Sequence, residues 1–111
     1  MNYANQLKFT ICNFKQIQHI AGQNDGTYCP PILWKYRKKA MTELTGNGYK
    51  LWDYILSWGG ATSFNFSPKH VEEEIGISHR GIYDARKELE KKHYLKQVDN
   101  NVYFYPAGDA E

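Results

Sequence analysis

Apolar and polar positions alternate along QLKFTICNF (residues 6–14). Leu7, Phe9 and Ile11 fall on one side and Lys8 and Thr10 on the other, the two-residue period of a strand. Asn13 then stands where it can cap a short helix carrying Phe14, Ile17 and Ile20 and closed by Gly22. GQNDGTYCPP (residues 22–31) has the composition of a loop, and Pro30 and Pro31 suit the first turn of a new helix. In that helix Leu33, Tyr36, Ala40, Met41 and Leu44 recur at helical spacing. A further helix is predicted from a cap at Thr45. Tyr49, Trp52, Ile55 and Leu56 form its apolar stripe, Leu51 and Trp58 lie at the margins, and Gly59 and Gly60 end it. TSFNF alternates Phe64 and Phe66 as a short strand does.

The next segment, SPKHVEEEIGISHRGIYDARKELEKKHYL (residues 67–95), breaks a helix and restarts it at once. Ser67 is a good N-cap, Pro68 suits the first helical position, and Phe66 can staple onto Val71. Val71 and Ile75 supply the buried side, and Gly76 can take the left-handed conformation that ends the helix. The same grammar repeats directly: Ser78 caps, Ile77 can staple onto Ile82, and Ile82, Ala85 and Leu89 form a narrow stripe. Two short helices joined by so tight a turn cross steeply, the arrangement of a helix-turn-helix.

At 100° per residue, Arg80, Asp84, Lys87 and Lys91 lie opposite that stripe, flanked by His79 and Tyr83. Arg can grip guanine O6 and N7 in the major groove, and an acid can accept from a cytosine amine. Residues 94–98 and 102–105 are β-rich runs separated by Asp99, Asn100 and Asn101, which tolerate positive φ, so a hairpin follows the second helix.

Residues 44–105 resemble a winged helix-turn-helix DNA-binding domain, similar to those of replication-initiation and regulatory proteins of Gram-positive phages and plasmids. The likeness rests on the Gly-Ile-Ser turn, the IYDARKEL that follows it and the YL leading into the hairpin. It implies that the helix from Ser78 is a recognition helix and the hairpin a wing. The candidate DNA-binding set is then His79, Arg80, Tyr83, Asp84, Lys87 and Lys91, with Lys96, Asn100 and Asn101 of the hairpin. Two residues depart from the pattern: Glu72 replaces a small residue, and His93 replaces the glycine that often closes the recognition helix. The fold expected is mainly α with a small β-hairpin, a winged helix-turn-helix over 44–106, with an N-terminal extension (1–43) and a C-terminal tail (107–111). Helices are expected near 45–58, 68–75 and 79–92, a hairpin near 94–105 and a short strand at 63–66. The extension has too few apolar residues for its own core, so it should pack on the domain or form a homodimer interface.

Composition adds constraints. The 111 residues suit one modest domain. Net charge is +2, but through Thr45 six bases face two acids and afterwards eight face ten, so any anion-binding surface is local. The basic run Lys35, Arg37, Lys38 and Lys39 is either a solvated helix face or a phosphate-facing one. No apolar run approaches the roughly 20 residues of a membrane span. The amino terminus lacks a basic segment followed by an apolar one, and a cytoplasmic, membrane-free protein is expected. Cys12 and Cys29 suggest free thiols, and with His19 they match no common zinc-ligand spacing, so neither metal nor cofactor is expected. His19, His70, His79 and His93 are scattered, Glu72, Glu73 and Glu74 splay around a helix, and GGATSF lacks the Gly-Lys-Ser/Thr end of a phosphate loop. No enzyme is therefore expected. Two functions compete: sequence-specific binding of double-stranded DNA in replication initiation or transcription regulation, and a winged-helix module that contacts a replication or host protein without reading DNA.

Overall fold

The computed structural model describes residues 7–17, 32–58 and 63–110, with backbone alone for Lys15 and Gln16. Its elements run β1 (Leu7–Ile11), α1 (Phe14–Ile17), α2 (Trp34–Glu43), α3 (Gly46–Leu56), β2 (Ser63–Phe66), α4 (Pro68–Ile75), α5 (His79–Lys91), β3 (Leu95–Val98) and β4 (Asn101–Phe104). The expected roles of Ile20, Gly22, Pro30, Pro31, Gly59 and Gly60, and the residues His19 and Cys29, lie outside the described residues.

Helices make up most of the regular structure, but the hairpin is one edge of a larger sheet. Its four strands run in the order β2-β1-β4-β3. β1 lies antiparallel to β2, with Phe9 opposite Phe64, and parallel to β4, with Phe9 opposite Val102. The strand from the segment read as an extension thus occupies the middle of the sheet. Leu7, Phe9, Phe64, Phe66, Leu95, Val102 and Phe104 are buried together, and the Phe9 ring stacks on Phe66 at 4.5 Å. The alternate positions Lys8, Asn65, Lys96, Val98 and Asn101 are exposed. The result is an α/β domain with a mixed sheet, apolar on one face.

Each helix start on this side of the molecule is capped as its sequence dictates. Thr45, Ser67 and Ser78 accept bonds from the amides of Gly48, His70 and Gly81. Gly76 ends α4 at φ 71°, ψ 22°, the left-handed region that costs glycine nothing. Val71 and Ile77 are buried and Glu72 is exposed, so its carboxylate does not enter the α4–α5 contact. His93 takes φ 70°, with its amide bonded to the Glu90 carbonyl at 3.2 Å and that of Tyr94 to the Leu89 carbonyl at 2.8 Å. A histidine therefore fills the place of the usual glycine in a Schellman end, secured by buried Leu89 and Tyr94.

Several finer expectations change. Leu51 is fully buried, not marginal, and Tyr54 joins it, because α3 is enclosed on more than one side. Met41 is exposed although its spacing suggested burial, and Trp34 is exposed too. Asn13 adopts φ 55°, which is not the extended conformation of an N-cap. α2 begins at Trp34 behind Leu33, which supplies no side-chain cap. The hairpin loop is two residues, Asp99 and Asn100, and Asn101 already belongs to β4. Of the basic run, Arg37 is turned inward, donating to the Tyr49 hydroxyl at 2.8 Å and Asp53 at 3.2 Å. Lys39 donates to the Ala107 carbonyl at 2.9 Å, so the C-terminal segment is held against α2. Lys35 and Lys38 remain exposed.

Candidate nucleic-acid interface

α5 has four sides with four different surroundings. Ile82, Ala85 and Leu89 face the core and are buried. Gly81, Glu88 and Lys92 face the start of α3. Arg80, Asp84, Lys87 and Lys91 face outward and are exposed. His79, Tyr83, Arg86 and Glu90 face the side on which β3 and β4 stand.

The α3 side is closed by close approach and by charge. A Cβ added at Gly81 would stand 2.8 Å from Ile77 Cγ2 and 3.1 Å from Asn47 Nδ2, and one at Gly48 would collide with the Glu88 carboxylate. Glu88 accepts from the Thr45 hydroxyl at 2.6 Å, the Thr45 amide at 2.8 Å and Lys92 Nζ at 3.1 Å. Lys92 also donates to the Glu43 carbonyl. A carboxylate from α5 thus completes the N-terminal cap of α3. Burial pushes the Glu88 pKa up, but the Thr45 and Lys92 bonds outweigh it and hold the group below the usual carboxylate value.

On the outward row, charges partly cancel along the helix. Arg80 Nε lies 3.4 Å from Asp84, and Lys87 Nζ lies 3.8 Å from Glu90 and sits over the Tyr83 ring, 5.6 Å from its centroid. These pairs are exposed and contribute little to stability. They leave Arg80, Tyr83, Lys87 and Lys91 free to exchange partners with a ligand.

Between α5 and the hairpin runs a groove of about 760 Å³. His79, Arg80 and Tyr83 line it from α5 and Asn100 from the hairpin, so four of the residues singled out from sequence meet on one wall system. Leu7, Pro68 and Ile82 supply apolar lining. Lys87 borders an adjoining hollow of about 160 Å³ shared with Tyr83 and Arg86. Lys91, Lys96 and Asn101 are exposed but line neither space, and Asp84 serves as the partner of Arg80.

Two groove residues escaped the sequence reading: Arg86 and Gln97. Arg86 Nη2 donates to Gln97 Oε1 at 2.9 Å, while its Nε is buried without an acceptor among the described residues. Burial lowers its pKa, offset in part by Glu90 and Tyr83, and a guanidinium still keeps its proton. Its place four residues after Ile82 marks a helix flank, but only the hairpin beside that flank turns it into a wall.

Among the described residues no three His, Cys, Asp or Glu side chains converge to hold a metal ion, and no helix is long and apolar enough to cross a membrane. Cys12 is a free thiol, its pKa raised by burial. Comparison with family models, with curated proteins and with solved structures gives no match.

Proposed function

We propose that this chain binds double-stranded DNA sequence-specifically as a winged helix-turn-helix protein, with α4 and α5 as the helix pair, α5 as the recognition helix and β3–β4 as the wing. The observation that carries this reading is the exposed surface of α5, its outward row together with Tyr83 on the flank. Arg80, Tyr83, Asp84, Lys87 and Lys91 are all exposed, on a helix held from behind by buried Ile82, Ala85 and Leu89. Such a helix is narrow enough for the major groove, and Arg80 near its start is placed to reach base edges. Lys87 and Lys91, further along, would meet backbone phosphates, and Lys96 and Asn100 would follow from the wing. A role in replication initiation or transcription regulation of a phage or mobile element rests on the likeness in residues 44–105. Two copies joined through the exposed Trp34 and Met41 of α2 would set two recognition helices on successive half-sites. Concentration-dependent sedimentation that is lost in Trp34→Ser would support that pairing.

A protein-contacting module is the second reading. It is favoured by the exposed Glu72, Glu73 and Glu74 on α4, which would repel phosphate. Titrating labelled duplex from the gene's own neighbourhood by fluorescence anisotropy decides between the two. Binding that weakens steeply with salt supports the DNA reading; absence of binding to any duplex favours the protein partner.

A further inference from the structure

The groove between α5 and the hairpin has a composition that duplex recognition does not require. DNA backbone is met by exposed cations and amides, whereas this groove holds a half-buried guanidinium among apolar and aromatic walls. Leu7, Pro68 and Ile82 give it apolar walls and Tyr83 an aromatic one, and among the described residues no carboxylate lines it. Arg86, only partly exposed, makes one hydrogen bond among the described residues, to the neutral Gln97, and no ion pair. Glu90, whose charge offsets part of the burial cost of Arg86, pairs with Lys87 at 3.8 Å and borders the smaller hollow that Arg86 also lines.

A half-buried cation that lacks an ion-pair partner in contact is costly, and half-buried arginines are ordinarily matched by a planar oxyanion. The volume, about 760 Å³, falls in the range of pockets that enclose small organic ligands. We infer that the groove is a binding site for a small organic anion, an apolar or aromatic body carrying one carboxylate that pairs with Arg86 while the body lies against Tyr83, Leu7 and Pro68. Because Arg80 and Tyr83 form walls of the same groove, an occupant would oppose duplex binding. That consequence rests on the DNA reading; the pocket itself does not.

The test is an NMR titration of the ¹⁵N-labelled full chain with 1-naphthoate, alongside neutral 1-naphthalenemethanol and inorganic phosphate. Saturable shifts are expected at the Arg86 side chain, Tyr83, Gln97 and Asn100, with the neutral alcohol weaker by about tenfold, the loss of one charge-assisted pair. Arg86→Gln should weaken naphthoate by a similar factor and leave the alcohol unchanged. Should that variant fail to fold, the naphthoate and alcohol pair on the unaltered chain still decides. Equal binding of acid and alcohol, shifts confined to another surface, or the same shifts from phosphate at equal concentration would each overturn the proposal, the last by revealing a bare anion seat. Where a duplex binds, saturating naphthoate should displace it, and failure to do so would overturn the competition. Should no duplex bind at all, the DNA reading fails while the naphthoate titration still decides the pocket.

Discussion

The two flanks of α5 follow opposite rules. Toward α3, the charges of α5 are matched: Glu88 takes three bonds, Lys92 bridges two acceptors, and Gly48 and Gly81 leave room for the side chains packed against them. Toward the hairpin, Arg86 has one hydrogen-bond partner among the described residues, the neutral Gln97, its Nε has none among them, and a groove stays open. Both flanks carry charge at similar spacing, so charge alone does not tell a structural side from a functional one. What separates them is whether neighbouring elements satisfy the charge. The satisfied flank fixes the helix, and the unsatisfied one is where a ligand has something to contribute.

The largest effect should come from breaking the closed flank. Glu88→Ala removes bonds to two groups of Thr45 and to Lys92 and should cost about 2–3 kcal/mol of stability in urea unfolding, the scale of charged hydrogen bonds. Arg86→Leu should cost much less, because it removes a buried donor that lacks a partner. Equal losses would erase the contrast. The Glu88 pKa is depressed in the folded state, so its contribution is complete above the unfolded carboxylate value and is lost as pH falls through the folded one. Glu88→Gln should therefore flatten the acid limb of the stability profile.

Next in size, and on binding instead of stability, Arg80→Ala should cost about 1–3 kcal/mol on a preferred duplex and relax its sequence preference. The unfolding midpoint should hardly move, since Arg80 makes only an exposed pair with Asp84.

Gly76→Val should destabilise by about 1–2 kcal/mol. Beyond its chain neighbours, no atom of the described residues lies within 4 Å of an added Cβ there, so the loss would be backbone strain, and Gly76→Asn should recover much of it. Equal melting temperatures for all three residues would count against the left-handed turn.

The smallest effect has the opposite sign. His93 holds φ 70° without glycine's freedom, and His93→Gly should raise stability by up to about 1 kcal/mol, read as a higher melting temperature.

Local grammar in the sequence was enough for the caps and the turn. Ser67, Ser78 and Gly76 act within a few residues of themselves, and α4, α5 and the hairpin fall where that grammar puts them. The strand at 7–11 was legible as a strand, but not its seat between β2 and β4, because pairing Lys8 with Asn101 joins opposite ends of the chain. For the same reason Arg37 read as a surface base: its acceptors Tyr49 and Asp53 belong to another helix. The outward row of α5 could be drawn from a helical wheel. Arg86 could not be assigned, since its role depends on which element stands beside the flank.

We have proposed that the outward face of α5 reads duplex DNA. Anisotropy titrations of a duplex across a salt series, with the unaltered chain and Lys91→Ala compared, test it most directly. The expected result is a steep linear fall of log affinity with log salt, with Lys91→Ala weakening every duplex alike and reducing the slope by about one unit. A salt-independent interaction, or a slope and affinity untouched in both Lys91→Ala and Arg80→Ala while each remains folded, would contradict it.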